Sequence, residues 1–228
     1  MNITIENVSK TFDDGTIALK DINLVIEEGM FGLLGPNASG KTTLIRILAT
    51  LSKPTEGIIR FDDMDLGENR AFIRSMTGYL PQSFSSFTNV TTREFIDYSA
   101  RLAGLRNKKE RADEVDGLIE SLGLHEVRNT LANDLTVSMK RHLEIAQAVV
   151  GNPDILIVDE PTVGLSPEER IRFGDLLAER LEKIKIIIMS THILGDIKST
   201  CSKIAVLEKG EVAYHGATDI LLEQMENK

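Results

Sequence analysis

Residues 35–43 read Gly35-Pro36-Asn37-Ala38-Ser39-Gly40-Lys41-Thr42-Thr43, directly after the apolar run Met30-Phe31-Gly32-Leu33-Leu34. The order is a short strand, a glycine-bearing loop, and a helix opening at Lys41-Thr42-Thr43-Leu44-Ile45. The spacing fits G-x-x-x-x-G-K-[ST], a phosphate-binding loop. Gly35 and Gly40 let the backbone curl so that the loop's N–H groups point inward at phosphate oxygens. The helix beginning near Gly40 adds the positive end of its dipole to the same spot. Lys41 supplies a point charge for β- and γ-phosphates, and the Thr42 hydroxyl can ligate Mg²⁺. The chain is expected to bind a nucleoside triphosphate.

The rest of the composition bounds what such a site could serve. The 228 residues carry 26 Lys and Arg against 35 Asp and Glu, a formal net charge of −9. That balance counts against broad nucleic-acid binding, which needs basic surface to displace counterions. Hydrophobic content of 42% and charged content of 27% are those of a soluble globular chain, long enough for one sizeable core or a core with a small lobe. No apolar run reaches the ~18 residues that span a bilayer. The longest, Ile155-Leu156-Ile157-Val158 and Ile186-Ile187-Ile188-Met189, read as buried strands. The opening MNITIENVSK lacks a signal-peptide pattern. The single cysteine, Cys201, has no internal partner and reads as a semi-buried small residue in a reducing compartment.

Outward from the loop, the chain changes character twice. Ile3, Ile5 and Val8, then Ile17, Leu19, Ile22, Leu24 and Ile26, alternate as strands across the turn Asp13-Asp14-Gly15, an antiparallel hairpin. The loop's helix is expected to run to about Ser52, broken by Lys53-Pro54-Thr55-Glu56-Gly57. Strands follow at Ile58–Phe61 and near Met76–Leu80. From about 84 to 150 helical periodicity takes over, in Thr91–Leu105, Lys108–Leu122 and Met139–Val150. This reads as a helical lobe inserted into an α/β core within a single domain, 1–228. The core resumes with strand Ile155–Val158, helix Pro167–Glu182 capped by Ser166, and strand Ile186–Ser190. A short helix near Leu194–Ser199, strands Ile204–Leu207 and Val212–His215, and a last helix from Thr218 complete it. Strands alternating with helices imply a parallel sheet covered on both faces.

Three more segments carry chemistry. Ile155-Leu156-Ile157-Val158-Asp159-Glu160 is an apolar strand ending in two carboxylates. Asp159 is placed to hold the Mg²⁺ hydration shell, and Glu160 to polarise a water aimed at a γ-phosphorus. Gln82, in Tyr79-Leu80-Pro81-Gln82, lies between core and lobe. His192, in Ser190-Thr191-His192, ends a core strand.

In this order the motifs resemble the nucleotide-binding subunit of an ABC transporter, and the resemblance covers essentially the whole chain. It implies a P-loop α/β core with an antiparallel β lobe and a helical insertion, and an ATPase using ATP and Mg²⁺. It implies that Phe12 stacks on adenine, that Gln82 touches Mg²⁺ and senses a transmembrane partner, and that His192 contacts the γ-phosphate. The segment Val163-Gly164-Leu165-Ser166-Pro167 would sit at a seam with a second cassette. Two cassettes, identical or different, would close head to tail on ATP. They would drive a separate membrane permease from the cytoplasmic face of the membrane. Phe31–Gly35 and Arg46–Leu51 look similar to cassettes of bacterial drug and antibiotic-peptide exporters.

The chain departs from the family pattern at its signature, usually LSGGQ or LSGGM. Here it is Leu135-Thr136-Val137-Ser138-Met139. Thr136 and Ser138 offer hydroxyls to a phosphate held by the other cassette, but two glycines are lost. Val137 is β-branched and would resist an unusual backbone conformation. Ala38 stands where the family usually has glycine, at a cost of about 1 kcal/mol if φ there is positive. Ser166 stands where aspartate is usual. A regulatory cassette with little or no hydrolysis is therefore the alternative, opposed by Glu160 and His192. A soluble cassette of the DNA-repair or ribosome-binding kind fits poorly, because only a small lobe separates Gln82 from Leu135.

Overall fold

Alternation in the first thirty residues is realised as β1 (Asn2–Thr11) and β2 (Ile17–Glu27), paired antiparallel with Ile3 opposite Ile26 and Ile5 opposite Leu24. Thr16 N–H donates to Asp14 Oδ1 at 2.9 Å and Gly15 takes φ 85°, closing the expected turn. The computed structural model describes residues 1–82, 89–162, 168, 170, 171, 184–198 and 200–226.

In chain order the further strands are β3 (Gly29–Leu34), β4 (Glu56–Phe61), β5 (Met64–Asp65), β6 (Thr77–Leu80), β7 (Ile155–Asp159), β8 (Ile186–Thr191), β9 (Lys203–Glu208) and β10 (Glu211–Ala217). The described helices are α1 (Lys41–Leu48), α2 (Arg70–Ser75), α3 (Thr92–Leu102), α4 (Lys108–Ser121), α5 (Val137–Val149), α6 (Leu194–Lys198) and α7 (Thr218–Glu226). One sheet runs β2-β1-β4-β5 and is antiparallel. The other runs β10-β9-β3-β8-β7-β6, parallel except for the β9–β10 hairpin.

The central strands β7 and β8 are apolar from Ile155 to Val158 and from Ile186 to Met189 because both faces are covered, and turn polar only at their C-terminal ends. Leu156 and Val158 of β7, with Ile187 and Met189 of β8, join a cluster built from α3, α4 and α5. Ile155 and Ile157, with Ile186 and Ile188, face the other way, onto α1 and the antiparallel sheet. The lobe helices are capped from sequence: Thr91 and Glu94 form a reciprocal capping box on α3, and Asn107 Oδ1 accepts from Lys109 N–H at 2.9 Å on α4.

Several boundaries differ from expectation. Helix α1 stops at Leu48, not near Ser52, because Thr50 takes φ 63° and Leu51 and Ser52 both donate N–H to Arg46 O. Arg70 Nε and Arg74 Nη2 hold the Thr50 carbonyl at 3.0 and 3.1 Å, which favours ending the helix there. Helix α5 begins two residues earlier than the periodicity suggests, at Val137 with Thr136 as cap. Strand β5, α2 and 3₁₀ turns at His125–Val127 and Ala132–Asp134 are too short to leave a period in the sequence. The expected helix at Pro167–Glu182 lies largely outside the described residues, of which Glu168, Arg170 and Ile171 are helical; Ser166 and the seam segment Val163–Pro167 lie outside them too. Cys201 is buried rather than semi-buried, and burial pushes its thiol up to about 11.

Candidate nucleotide site

The loop between β3 and α1 needs its glycines for two different reasons. A Cβ on Gly35 would lie 2.3 Å from Leu207 O and 2.6 Å from Ser39 Oγ, so the loop packs on β9 too closely for any side chain. Gly40 caps α1 at φ 104° with no side-chain acceptor, and a Cβ there would meet Ala18 O at 2.7 Å. Ala38 adopts φ 62°, so the suspected strain is real and costs about 1–2 kcal/mol. The loop is braced from behind, since Gly210 N–H donates to Ser39 O at 3.0 Å and Gly210 O accepts from Lys20 N–H at 2.8 Å.

Three features make this loop an anion site. The first-turn N–H groups of α1 have no helical carbonyl to bind and no capping side chain. Ser39 Oγ is buried with no hydrogen-bond partner among the described residues. Lys41, 4% exposed, places Nζ 2.8 Å from Gly35 O, 3.1 Å from Pro36 O and 3.1 Å from Glu160 Oε1. All three of its donors therefore serve the loop and the carboxylate beside it.

A cavity of about 450 Å³ opens on this loop and is lined by Asn37, Ala38, Ser39, Gly40, Lys41, Thr42 and Thr43 together with Thr16, Ile17, Ala18, Gln82 and Glu160. The sheet order brings the carboxylates here: β7 lies next to β8, and β8 next to β3. Thr42 Oγ1 donates to Asp159 Oδ1 at 3.4 Å, and Ser190 Oγ donates to the same oxygen at 2.6 Å. Burial pushes the Asp159 carboxyl above the usual carboxylate range, against the two hydroxyl bonds that favour its ionised form.

Glu160 takes the left-handed φ of 49°, and its N–H donates to Ser190 O at 3.1 Å and to Ser190 Oγ at 2.9 Å. Non-glycine residues persist there only when their surroundings over-determine them, and such positions cluster at active sites. His192 Nδ1 lies 2.6 Å from Glu160 Oε2, so an ionised Glu160 is gripped by Lys41 on one oxygen and His192 on the other.

The structure thus gathers the loop, Gln82, Asp159, Glu160 and His192, as expected. Phe12 sits on the hairpin turn, 44% exposed, with Lys10 Nζ 5.5 Å from its ring centre, and is not among the cavity's lining residues. Thr136 and Ser138 lie at the start of α5, and neither is among the cavity's lining residues. Val137 and Ser138 are ordinary helical residues with no positive φ, so the anticipated backbone conflict at Val137 does not arise; what Val137 adds is an apolar side chain, 76% exposed. Ser190 joins Asp159 to Glu160, a role with no local signal in the sequence.

A family model for ABC transporters matches residues 19–163. The chain belongs to the ABC transporter family. It is an ATP-binding subunit of that family, and the cassette is an ATPase. It is 33% identical over 225 residues to the uncharacterized ABC transporter ATP-binding protein YxlF of Bacillus subtilis (strain 168), covering 98% of this chain and 74% of that one. It is 34% identical to the methionine import ATP-binding protein MetN 1 of Bacillus thuringiensis subsp. konkukian (strain 97-27), covering 94% of this chain and 66% of that one. It is 32% identical to the Nod factor export ATP-binding protein I of Burkholderia thailandensis, covering 97% and 72%. Among solved structures, a dimeric post-hydrolysis state of the ATP-binding cassette MJ0796 bound to ADP and Pi superposes with a TM-score of 0.85 at 27% identity, covering 95% of this chain and 98% of that one. No helix among the cassette's described residues is long and apolar enough to cross a membrane.

Proposed function

We propose that the cassette binds ATP with Mg²⁺ on the loop of residues 35–43, hydrolyses it with Glu160, and so drives a separate membrane-spanning permease from the cytoplasmic face of the membrane. One observation carries this reading: Glu160 is held beside the phosphate loop between Lys41 and His192, in the cavity that Gln82 also lines. In this reading the whole chain is one ATP-binding domain, with residues 84–150 as its helical lobe.

The oxygens at the loop suit Mg²⁺. Thr42 and Asp159 offer two hard donors, and a buried carboxylate pushed up by desolvation is a group that a cation stabilises. When bound, the metal neutralises charge on the phosphoryl oxygens. Gln82, on the exposed segment after β6, is the remaining metal-side candidate. Lys41, the α1 N–H groups and the Ser39 hydroxyl bind and orient phosphates. His192, through Nδ1, fixes the Glu160 carboxylate, which accepts a proton from water during attack. The carboxylate's grip on Lys41 must loosen for Lys41 to reach a phosphate.

Phe12 is assigned to adenine. Phe12→Ala should weaken ATP binding about 3–10-fold, the equivalent of one aromatic stack, while leaving inorganic triphosphate binding unchanged. Calorimetry with both ligands checks this. Equal loss for both would make Phe12 a fold residue.

A second cassette, identical or different, is proposed to cover the site, presenting its signature helix to the phosphates. No nucleic acid is involved. In a homodimer the exposed Val137 and the Ser138 side chain would stand where glycines normally admit the phosphate. Changing both to Gly should raise homodimer turnover tenfold or more, since ~1.4 kcal/mol recovered in the transition state is tenfold. In a heterodimer whose partner has an intact signature the gain should be small. Steady-state ATPase rates for the two assemblies decide it; no gain in the homodimer would clear the signature of limiting hydrolysis.

An importer and an exporter cassette resemble this chain at similar identity. The finer proposal, that the cassette serves a bacterial exporter, rests on the phrases Phe31–Gly35 and Arg46–Leu51. Mg·ATP turnover by the chain, measured alone and after reconstitution with the proposed permease, tests the function. A complex that binds ATP without turning it over would instead make this a regulatory cassette.

A further inference from the structure

Glu160 and His192 lie 32 residues apart and meet at the ends of adjacent parallel strands. Strand pairing sets where the strands end, but not how the chain leaves them. Glu160 leaves β7 through a left-handed residue that costs energy unless held. Ser190 holds it from one side, accepting its N–H. The segment that follows, at Thr162, is held by a carboxylate with no role in the chemistry described so far.

Asp196 lies in α6, and its side chain is 6% exposed. Its Oδ2 accepts from Thr162 Oγ1 at 2.5 Å and from Thr191 Oγ1 at 3.2 Å. Thr162 is two residues beyond Glu160, and Thr191 is one residue before His192. Thr191 Oγ1 also accepts from Ile193 N–H at 3.0 Å, so the same hydroxyl fixes the backbone on both sides of His192. Both threonines are buried, at 3% and 1% exposure, so neither hydroxyl has water to turn to. Arg170 Nη1, 3.8 Å from Oδ1, balances the buried charge.

We propose that Asp196 is a positioning residue for hydrolysis: it ties the segment after Glu160 to the segment before His192 and so sets the Glu160–His192 contact. The inference rests on Glu160 being the residue that polarises water. A carboxylate that only stabilised the fold would not need to hold the two segments that carry the reacting pair. Without the tie, Glu160 relaxes toward ordinary backbone angles and its carboxylate leaves Nδ1.

The test uses the full chain. Long-range ¹H–¹⁵N spectra report whether His192 Nδ1 is hydrogen-bonded, independently of activity, and the chain has only four histidines to assign. In Asp196→Ala the hydrogen-bonded Nδ1 signal of His192 should be lost. Turnover should fall tenfold or more, with the ATP dissociation constant within threefold of wild type. Asp196→Asn keeps one oxygen that can accept both hydroxyls, and should restore the signal and most of the turnover. Should Asp196→Ala fail to fold, the double variant Thr162→Val/Thr191→Val keeps side-chain shape, removes both tied hydroxyls, and should give the same spectral change. An unchanged Nδ1 signal in a folded variant overturns the proposal. So does a parallel loss of binding and turnover that Asn does not rescue. If Glu160→Gln leaves turnover unchanged, the functional reading fails, and the Nδ1 spectra still decide whether Asp196 sets the contact.

Discussion

Lys41→Ala is expected to lower the affinity for ATP by at least two orders of magnitude, about 2.7 kcal/mol. Two losses combine. The point charge intended for the phosphates goes, and so does the ammonium that gathers the Gly35 and Pro36 carbonyls at 2.8 and 3.1 Å. The loop thus loses both its charge and an internal tie. The variant should also be less stable, because Glu160, 4% exposed, loses its cation. Stranding one member of a buried pair typically costs about 3–5 kcal/mol. The two effects separate in the double variant Lys41→Ala/Glu160→Gln, which has no stranded charge. Its melting temperature should recover most of the loss, and its ATP binding should stay weak. Calorimetry showing wild-type affinity in Lys41→Ala would remove the phosphate assignment altogether.

Glu160→Gln is expected to cut hydrolysis by two orders of magnitude or more, within the roughly 10²–10⁴ range of a lost general base. The amide keeps the size of the side chain and cannot take the proton. Nucleotide binding should hold or tighten. In the wild-type chain Lys41 is paired with Glu160 Oε1 at 3.1 Å, and a phosphate must compete for that ammonium. A neutral amide competes less. Binding is best measured with ADP, which is not consumed. Turnover within a factor of two of wild type would show that Glu160 does not polarise the water. ADP binding weakened in step with turnover would show that the glutamate shapes the loop rather than the reaction.

Much of the site was legible because its parts are local. A strand, a glycine loop and a helix start lie within fifteen consecutive residues, and their backbone conformations depend on residues a few positions away. The same locality made the β1–β2 hairpin, the apolar β7 and β8, and the capped helices of the lobe readable. Even the strain at Ala38 could be anticipated, since a phosphate loop imposes its angles on whatever residue occupies the position.

Where the structure departs from what local sequence implies, a distant contact or a short element is responsible. Helix α1 ends early at Thr50, whose carbonyl is held by Arg70 and Arg74, twenty or more residues downstream. The expected conflict at Val137 vanished because Thr136 caps α5 and leaves Val137 in ordinary helical geometry. Strand β5 and α2 are too short to carry a period.

By itself, the sequence determined the longer strands and helices, the phosphate-loop motif of residues 35–43, and which residue types stand ready around it. Only the tertiary structure decided that Lys41 faces Glu160, that Thr42 meets Asp159 across 117 residues of chain, that Ser190 accepts the Glu160 N–H, and that Asp196 bonds both Thr162 and Thr191. The reason is physical. Backbone conformation is set largely by near neighbours in the chain. Which side chains meet is set by the order of the strands in the sheet, and that order follows from burying two apolar faces at once.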